Sequence, residues 1–431
     1  MRVLALLACA AAVAAQDLVH KAPPQAGPIA LVGGTVHPVS GPPVENGVVL
    51  MVEGRLAAVG EGGAPPGVEV IDVKGKHVYP GLIDAHTNLG LVEIGAVRAT
   101  RDYDEVGEIT PEVRACVAVN PDSWLIPVTR SNGVLVFGTF PQGGTVPGRA
   151  SVMHADGWTW EDMAVRQDAG LVVTWPMPRP RYVPHGAVRE DVLAREVAAS
   201  LQRVRDAFAD ARAYLDAKAA DPSLPADIRW EAMRDVLAGK RPVFFDAQDL
   251  DEITTAVEFA AARGLNAVIL GGHDAALCAD LLKAHDVAVL IANLHRFPKR
   301  TDSDFDEAYA LPAKLEKAGV RWCLASGERT ANVRNLPYAA ARAAAYGLPK
   351  DAALRGVTLY AARVLGVADT LGSLEPGKSA TLIVTDGDPL EVTTRVEMAF
   401  IDGRRIDLSN KQTALYEKYK EKYRQLGLIP R

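Results

Sequence analysis

The sequence predicts an α/β fold: an eight-stranded βα barrel that carries a small β-sandwich assembled from both ends of the chain. Three observations carry this expectation. Short runs rich in branched residues, bounded by glycines, lie near both termini. Between them, short apolar runs alternate with helical patterns. The 431 residues also exceed what one small core uses, so a large barrel with an accessory module is the expected division.

Taken in order, Met1-Arg2, the apolar alanine-rich stretch Val3 to Ala14 and the small residues Val13-Ala14-Ala15 read as a signal peptide over 1–15, cleaved before Gln16. Cys9 as a lipidated residue is the alternative. Export places the protein in a periplasm or outside the cell. No later segment is apolar over the roughly 20 residues of a membrane span. From Ile29 to Tyr79 the chain reads as antiparallel strands, Ala30-Leu-Val32, Val48 to Val52 and Leu56 to Val59, separated by Gly33-Gly34 and Glu53-Gly54. The texture returns at Ala380 to Val384 and Val396 to Ile401, so residues 29–79 and 370–407 are expected to share one sandwich.

The barrel is expected over 80–369. Pro242 to Phe245, Asn266 to Leu270, Val287 to Ala292 and Val320 to Ala325 are mostly apolar, as parallel strands buried on both faces are. Asp249-Leu-Asp-Glu252 resembles a capping box opening a helix with Ile253, Val257 and Ala260 inward, stopping at Gly264. Val188 to Lys218 reads as a long outer helix. The first half of the barrel is less regular. Residues 408–431 form a helical tail, read as a solvated helix packed by Leu415 and Tyr419.

Charge and cysteine content narrow the partners. The formal charge of −6 becomes −7 once Arg2 leaves with residues 1–15, and a mildly acidic surface argues against nucleic acid. Cys116, Cys278 and Cys323 fit neither a zinc knuckle nor a disulfide framework. Gly143-Gly144 with Pro147-Gly148 lacks the context of a phosphate loop and reads as a turn over the barrel mouth. Asp156-Gly-Trp-Thr-Trp160 serves equally as a pocket lining or, through Thr159, as a helix start.

Pro80-Gly-Leu-Ile-Asp-Ala-His86, followed far downstream by Ala361-Ala-Arg-Val-Leu-Gly366 and Gly372-Ser-Leu-Glu-Pro-Gly-Lys378, resembles the amidohydrolase superfamily, nearest its imidazolonepropionase-like branch. The resemblance spans nearly the whole mature chain. It implies a TIM barrel with a composite β-sandwich, and metal-activated water attacking an amide, cyclic amide or similar C–N bond. Carried over residue by residue, the ligand pattern is thin. His86 matches the first histidine of the strand-one pair, but Asn88 holds the second place, and an amide is a poor zinc ligand. Asp246 stands where the next histidine is expected, Leu270-Gly271-Gly272 with a late His273 where another is, and Gly327 in the slot of the catalytic aspartate. Lys218 and Lys240 are badly placed to bridge two ions.

The remaining candidates are His86, Asp246 and His273 for at most one weakly held divalent metal (zinc by donor type), Asn88 and His295 for substrate, and Glu328 for catalysis. All are expected around one cavity at the C-terminal strand ends. A structural role competes, with His86 hydrogen-bonded to Asp246 or Asn88 and His273 capping a helix near Asp274. The function expected is that of an exported family member whose C–N hydrolysis is weak or lost. The alternatives are a binder of a small-molecule or peptide-like ligand, or a structural subunit paired with itself or with an active relative.

Overall fold

The computed structural model describes residues 21–176, 182–183, 186–187, 189–327 and 330–430. The segment read as a signal peptide, His185 and Glu328 lie outside the described residues. In chain order the strands are β1 (Ile29–Val36), β2 (Val44–Val52), β3 (Arg55–Gly60), β4 (Glu69–Asp72), β5 (His77–Pro80), β6 (Leu82–Thr87), β7 (Val134–Thr139), β8 (Gly148–His154) and β9 (Ala164–Thr174). A two-stranded hairpin, β10 (Tyr182–Val183) and β11 (Gly186–Ala187), precedes the long helix Glu190–Ala220. Then come β12 (Val243–Ala247), β13 (Ala267–Gly271), β14 (Ala288–Ala292), β15 (Trp322–Ala325), β16 (Leu382–Thr385), β17 (Val396–Ile401) and β18 (Arg404–Arg405).

The two ends of the chain do meet. Strand β5 pairs antiparallel with β16, Leu382 opposite Pro80 and Thr385 opposite His77. This joins β1–β5 and β16–β18 into a single hydrogen-bonded sheet of eight strands. Its own core contains Leu31, Val49, Met51, Val78, Leu382 and Phe400.

A second eight-stranded sheet runs in the order β15, β14, β13, β12, β9, β8, β7, β6. Its edges nearly close into a barrel through a parallel bridge between Thr87 and Gly327 and a 3.1 Å bond from Gly327 N to His86 O. The uniformly parallel (βα)8 expectation needs one correction: β8 runs antiparallel to both β7 and β9. The connections 140–147 and 155–163 explain it, since a parallel crossover needs about a dozen residues or more. From β12 onward the expected βα rhythm holds, and each strand from β12 to β15 is followed by a helix. Strands there are buried on both faces, yet still alternate. Phe244 faces the barrel interior with Val268, Leu290 and Cys323, while Phe245 packs outward with Ile269, Val289 and Leu324.

Both expected helices of this half form. The box of Asp249 and Glu252 caps Leu250–Ala261, which buries Ile253, Val257 and Ala260. Thr159 also acts as an N-cap, accepting a hydrogen bond from Asp162 N. The tail departs from expectation. Helix Lys411–Gln425 forms, but buries none of its residues, and Leu415 and Tyr419 remain 42% and 50% exposed. No described helix is long and apolar enough to cross a membrane.

Candidate functional site

Strand β6 brings His86 to the open end of the barrel. The residue is 5% exposed, and its ring meets Phe140 edge-on at 4.7 Å between centroids, with Phe140 packed in turn on Phe244 at 5.0 Å. Burial alone lowers its pKa to about 4, so the imidazole is neutral at pH 7. Two residues earlier, Asp84 is fully buried at the seam of the barrel. It accepts hydrogen bonds from Ser326 N at 3.0 Å, from His86 N at 3.3 Å and from Ser326 Oγ. Burial pushes its pKa up to about 7 against the pull of the Ser326 bonds. Asp84 is thus a tie between first and last barrel strands.

His86, Asp246 and His273 lie around one cavity. They line a narrow cavity of about 70 Å³ with Gln248, Leu270, Gly271, Ala292 and Asn293. Burial first, then the nearby Arg296 and Lys299, lowers the pKa of His273 to about 4, so this imidazole is neutral too. Register sets Leu270 beside Asp246, so the neighbouring strand offers an alkyl side chain at that level.

The other candidates separate from this group. Asn88 falls just past the end of β6, is 3% exposed, and is not among the residues lining the cavity. His295 lines a wider space of about 690 Å³ with Arg296, Ser326 and Asn332, and Asn293 borders both spaces. Burial and then Arg342 lower its pKa. His154 pairs with Asp402 at 3.2 Å.

Two side chains that sequence reasoning passed over decide the chemistry. Gln248 follows Asp246 by two residues, and its Nε2 donates to Asp246 Oδ1 at 2.7 Å. A Cβ built on Gly271 would lie 2.1 Å from the Gln248 amide, and one built on Gly327 would lie 2.5 Å from Asn293 Oδ1. Both glycines have positive φ, +96° and +81°. Where the resemblance expected ligand side chains, amide groups of neighbouring residues already fill the space. The period-two spacing of Asp246 and Gln248 was the available signal, because it puts both on one face of a strand.

His86 Nδ1 and Asn88 Oδ1 are buried with no hydrogen-bond partner among the described residues. The short helix Ala275–Cys278 has no side-chain cap, so His273 is not a capping residue there. Asp274 instead binds Arg300 at 2.6 Å and Lys299 at 3.0 Å, pinning the loop after β14 beside the cavity.

Comparison with known proteins places this geometry. The model of the amidohydrolase family matches residues 301–406. The amidohydrolase of Thermotoga maritima, a solved structure, superposes with a TM-score of 0.78 at 28% identity, covering 88% of this chain and 99% of that one. These matches support the amidohydrolase superfamily. Among curated relatives, the imidazolonepropionase of Mesorhizobium japonicum is 28% identical over 393 residues, 82% of this chain and 90% of its own. Amidohydrolase tasK of Hapsidospora irregularis is 24% identical over 398 residues, and this chain spans only 39% of its length.

The superfamily usually works through a divalent metal, and the residues here do not fit one. Among the described residues no three of His, Cys, Asp and Glu are grouped to hold an ion. Asp246 is engaged by Gln248, the neighbouring strand contributes Leu270, and amides fill the space over both glycines. Zinc prefers imidazole, thiolate or carboxylate over neutral amide oxygen. As built, the site is a pocket of neutral imidazoles and carboxamides around one carboxylate.

Proposed function

We propose that this chain is an exported member of the amidohydrolase superfamily in which metal-dependent C–N hydrolysis is weak or lost, and that its barrel mouth binds a small polar or peptide-like molecule. The observation that supports this reading above the others is the placement of the Gln248 and Asn293 amides in the space over Gly271 and Gly327. A two-metal site needs several anionic or imidazole ligands around ions about 3.5–4 Å apart, and these amides stand in their way. One ion at most, zinc by donor type, would have His86, Asp246 and His273 to use, and Asp246 would first have to give up Gln248. The export half of the reading rests on the leader-like residues 1–15. Elemental analysis of the purified mature chain, beside a hydrolysis screen of N-acyl amino acids, cyclic amides and dipeptides, tests the proposal. Metal well below one equivalent per chain and no turnover are expected. Two tightly held equivalents of zinc, manganese or iron, with turnover, would overturn it.

A further inference from the structure

The inner cavity of about 70 Å³ has room for one small head group rather than a whole ligand, and its wall is one-sided in hydrogen bonding. Asp246 lies in β12 and Gln248 just past its end, two residues apart, so their side chains share a face. Gly271, paired with Ala247 on the next strand, has no side chain, and the Gln248 amide lies over it. In that position Nε2 donates to Asp246 Oδ1 at 2.7 Å and to the Leu270 carbonyl at 3.4 Å. The donor half of the amide is thus used within the chain. The acceptor half is not: Oε1 is buried with no partner among the described residues, and so is His86 Nδ1.

The rest of the wall has the same bias. Carboxylate and carboxamide oxygens only accept, and a neutral imidazole offers one lone pair beside its one N–H. His86 and His273 are both neutral at pH 7. Asp246 is the one charged side chain among the described residues that line the cavity. The side-chain donors left there are one N–H on each imidazole and the Asn293 amide. The nearby cations lie outside this lining, and each has a carboxylate beside it: Arg296 with Glu307 at 2.8 Å, Lys299 with Asp249 and, at 3.0 Å, with Asp274. An incoming carbonyl or carboxylate would set oxygen against Gln248 Oε1 and Asp246. A group with several N–H bonds and no lone pair matches the wall, and an ammonium is such a group.

We propose that the inner cavity seats a primary ammonium group, and that the ligand of this barrel mouth is a small amine such as the amino terminus of a short peptide. This rests on the reading of the mouth as a binding site and names the group that enters it first. Asn293 borders both spaces, so a ligand with its ammonium inside extends past that residue into the chamber of about 690 Å³. There His295, Ser326, Asn332 and Asn335 meet its remainder. Among the described residues no carboxylate lines that chamber, so the attraction for a cation is confined to the inner end.

Calorimetric titration of the mature chain at pH 7 with dialanine, dialanine amide and N-acetyldialanine tests the assignment. A free α-amino group, with a pKa of about 7.7–8.0, is protonated there. Dialanine and its amide should bind alike, within about threefold. Acetylation should weaken binding by about tenfold or more, because it removes the charge and sets a carbonyl against Gln248 Oε1. Asp246→Asn keeps the shape and removes the charge, so the preference for the free amine should shrink to within about twofold. Circular dichroism reports whether that variant is folded. If N-acetyldialanine binds the parent chain as well as dialanine does, the inference fails while the mouth remains a binding site. An unchanged preference in folded Asp246→Asn also overturns it, since the amine then sits elsewhere. No binding of any of the three overturns both the inference and the reading it rests on.

Discussion

Substituting Gly271 by histidine asks directly whether the Gln248 amide excludes a ligand side chain from the barrel mouth. The new Cβ would lie 2.1 Å from both Nε2 and Oε1 of Gln248, so that amide must leave. Leaving breaks the 2.7 Å bond from Gln248 Nε2 to Asp246 Oδ1, and a hydrogen bond to a charged group contributes about 1.5–3 kcal/mol. The backbone at φ +96° adds about 1–2 kcal/mol for a residue with a side chain. Together Gly271→His should cost roughly 2.5–5 kcal/mol, a fall in Tm on the order of 3–6 °C for a chain of this length. Gly271→His combined with Gln248→Ala removes the overlap and leaves mainly the backbone cost, so part of that fall should return. Only the combined variant offers an imidazole beside His86 and Asp246 with room to turn. Calorimetric titration with zinc should therefore show binding in the double variant and none in Gly271→His alone. If Gly271→His melts like the parent, or takes up zinc by itself, Gln248 does not fill that space and the argument against a metal fails.

Other consequences concern stability. Burial and the facing His77 lower the pKa of His37 to about 4, below the 6.5 of an unfolded histidine, while Asp388 and Glu45 oppose them. A depressed histidine adds stability above pH 6.5 that is lost as pH falls from there through about 4. His37→Phe, which keeps the stack on Tyr79, should flatten the fall in Tm over that window; an unchanged slope would refute the assignment. Arg130 and Asp156 form an ion pair at 2.7 Å with side chains 1% and 0% exposed, and Asp156 also holds Arg404 and Ala22 N. Asp156→Ala takes one carboxylate from the buried Arg130 and from Arg404 together and should cost about 3–5 kcal/mol in denaturant unfolding; a cost under about one kcal/mol would show that this buried pair contributes little. Asp274→Asn gives up the charge of the contacts with Lys299 and Arg300. Amide exchange over residues 296–303 should then quicken by on the order of tenfold, and unchanged exchange would show that the loop is held otherwise.

The second half of the barrel was legible because local signals there agree with the fold. The run Asn266 to Leu270 becomes β13 within one residue, and the box of Asp249 and Glu252 caps the helix it announced. The antiparallel β8 was not legible. Period-two and apolar patterns give strand positions but no direction, and only the short connections on either side of β8 fix it. The single sheet joining both chain ends was half legible: the strands were seen, the pairing of β5 with β16 was not. In the site, His86, Asp246 and His273 were found because histidines and carboxylates at strand ends draw attention. Gln248 and Asn293 drew none: the period-two spacing from Asp246 to Gln248 was there to read, but a polar residue just after a strand has the composition of any loop. Their effect comes from glycines elsewhere in the chain, across a distance no sequence pattern records. The tail helix was likewise found by its periodicity, but an amphipathic pattern does not say whether its apolar face is covered within the chain or by another.

The retained parts of the barrel mouth bear on what it does. A barrel whose open end had become purely structural would be expected to pair its buried polar groups, as Asp84 does with Ser326 across the seam. His86 departs from that rule: its ring is held edge-on by Phe140, is neutral at pH 7, and presents an Nδ1 without a partner among the described residues. The Gln248 side chain is in the same condition, with Nε2 bonded to Asp246 and Oε1 buried and unpaired among the described residues. Leaving a buried polar atom unpaired costs about 1–3 kcal/mol. Two such atoms on the wall of one cavity are a deficit that a bound amide, hydroxyl or amine group of a small molecule could make good. That deficit favours a binding site over an inert plug, because a plug would carry the cost with nothing to offset it.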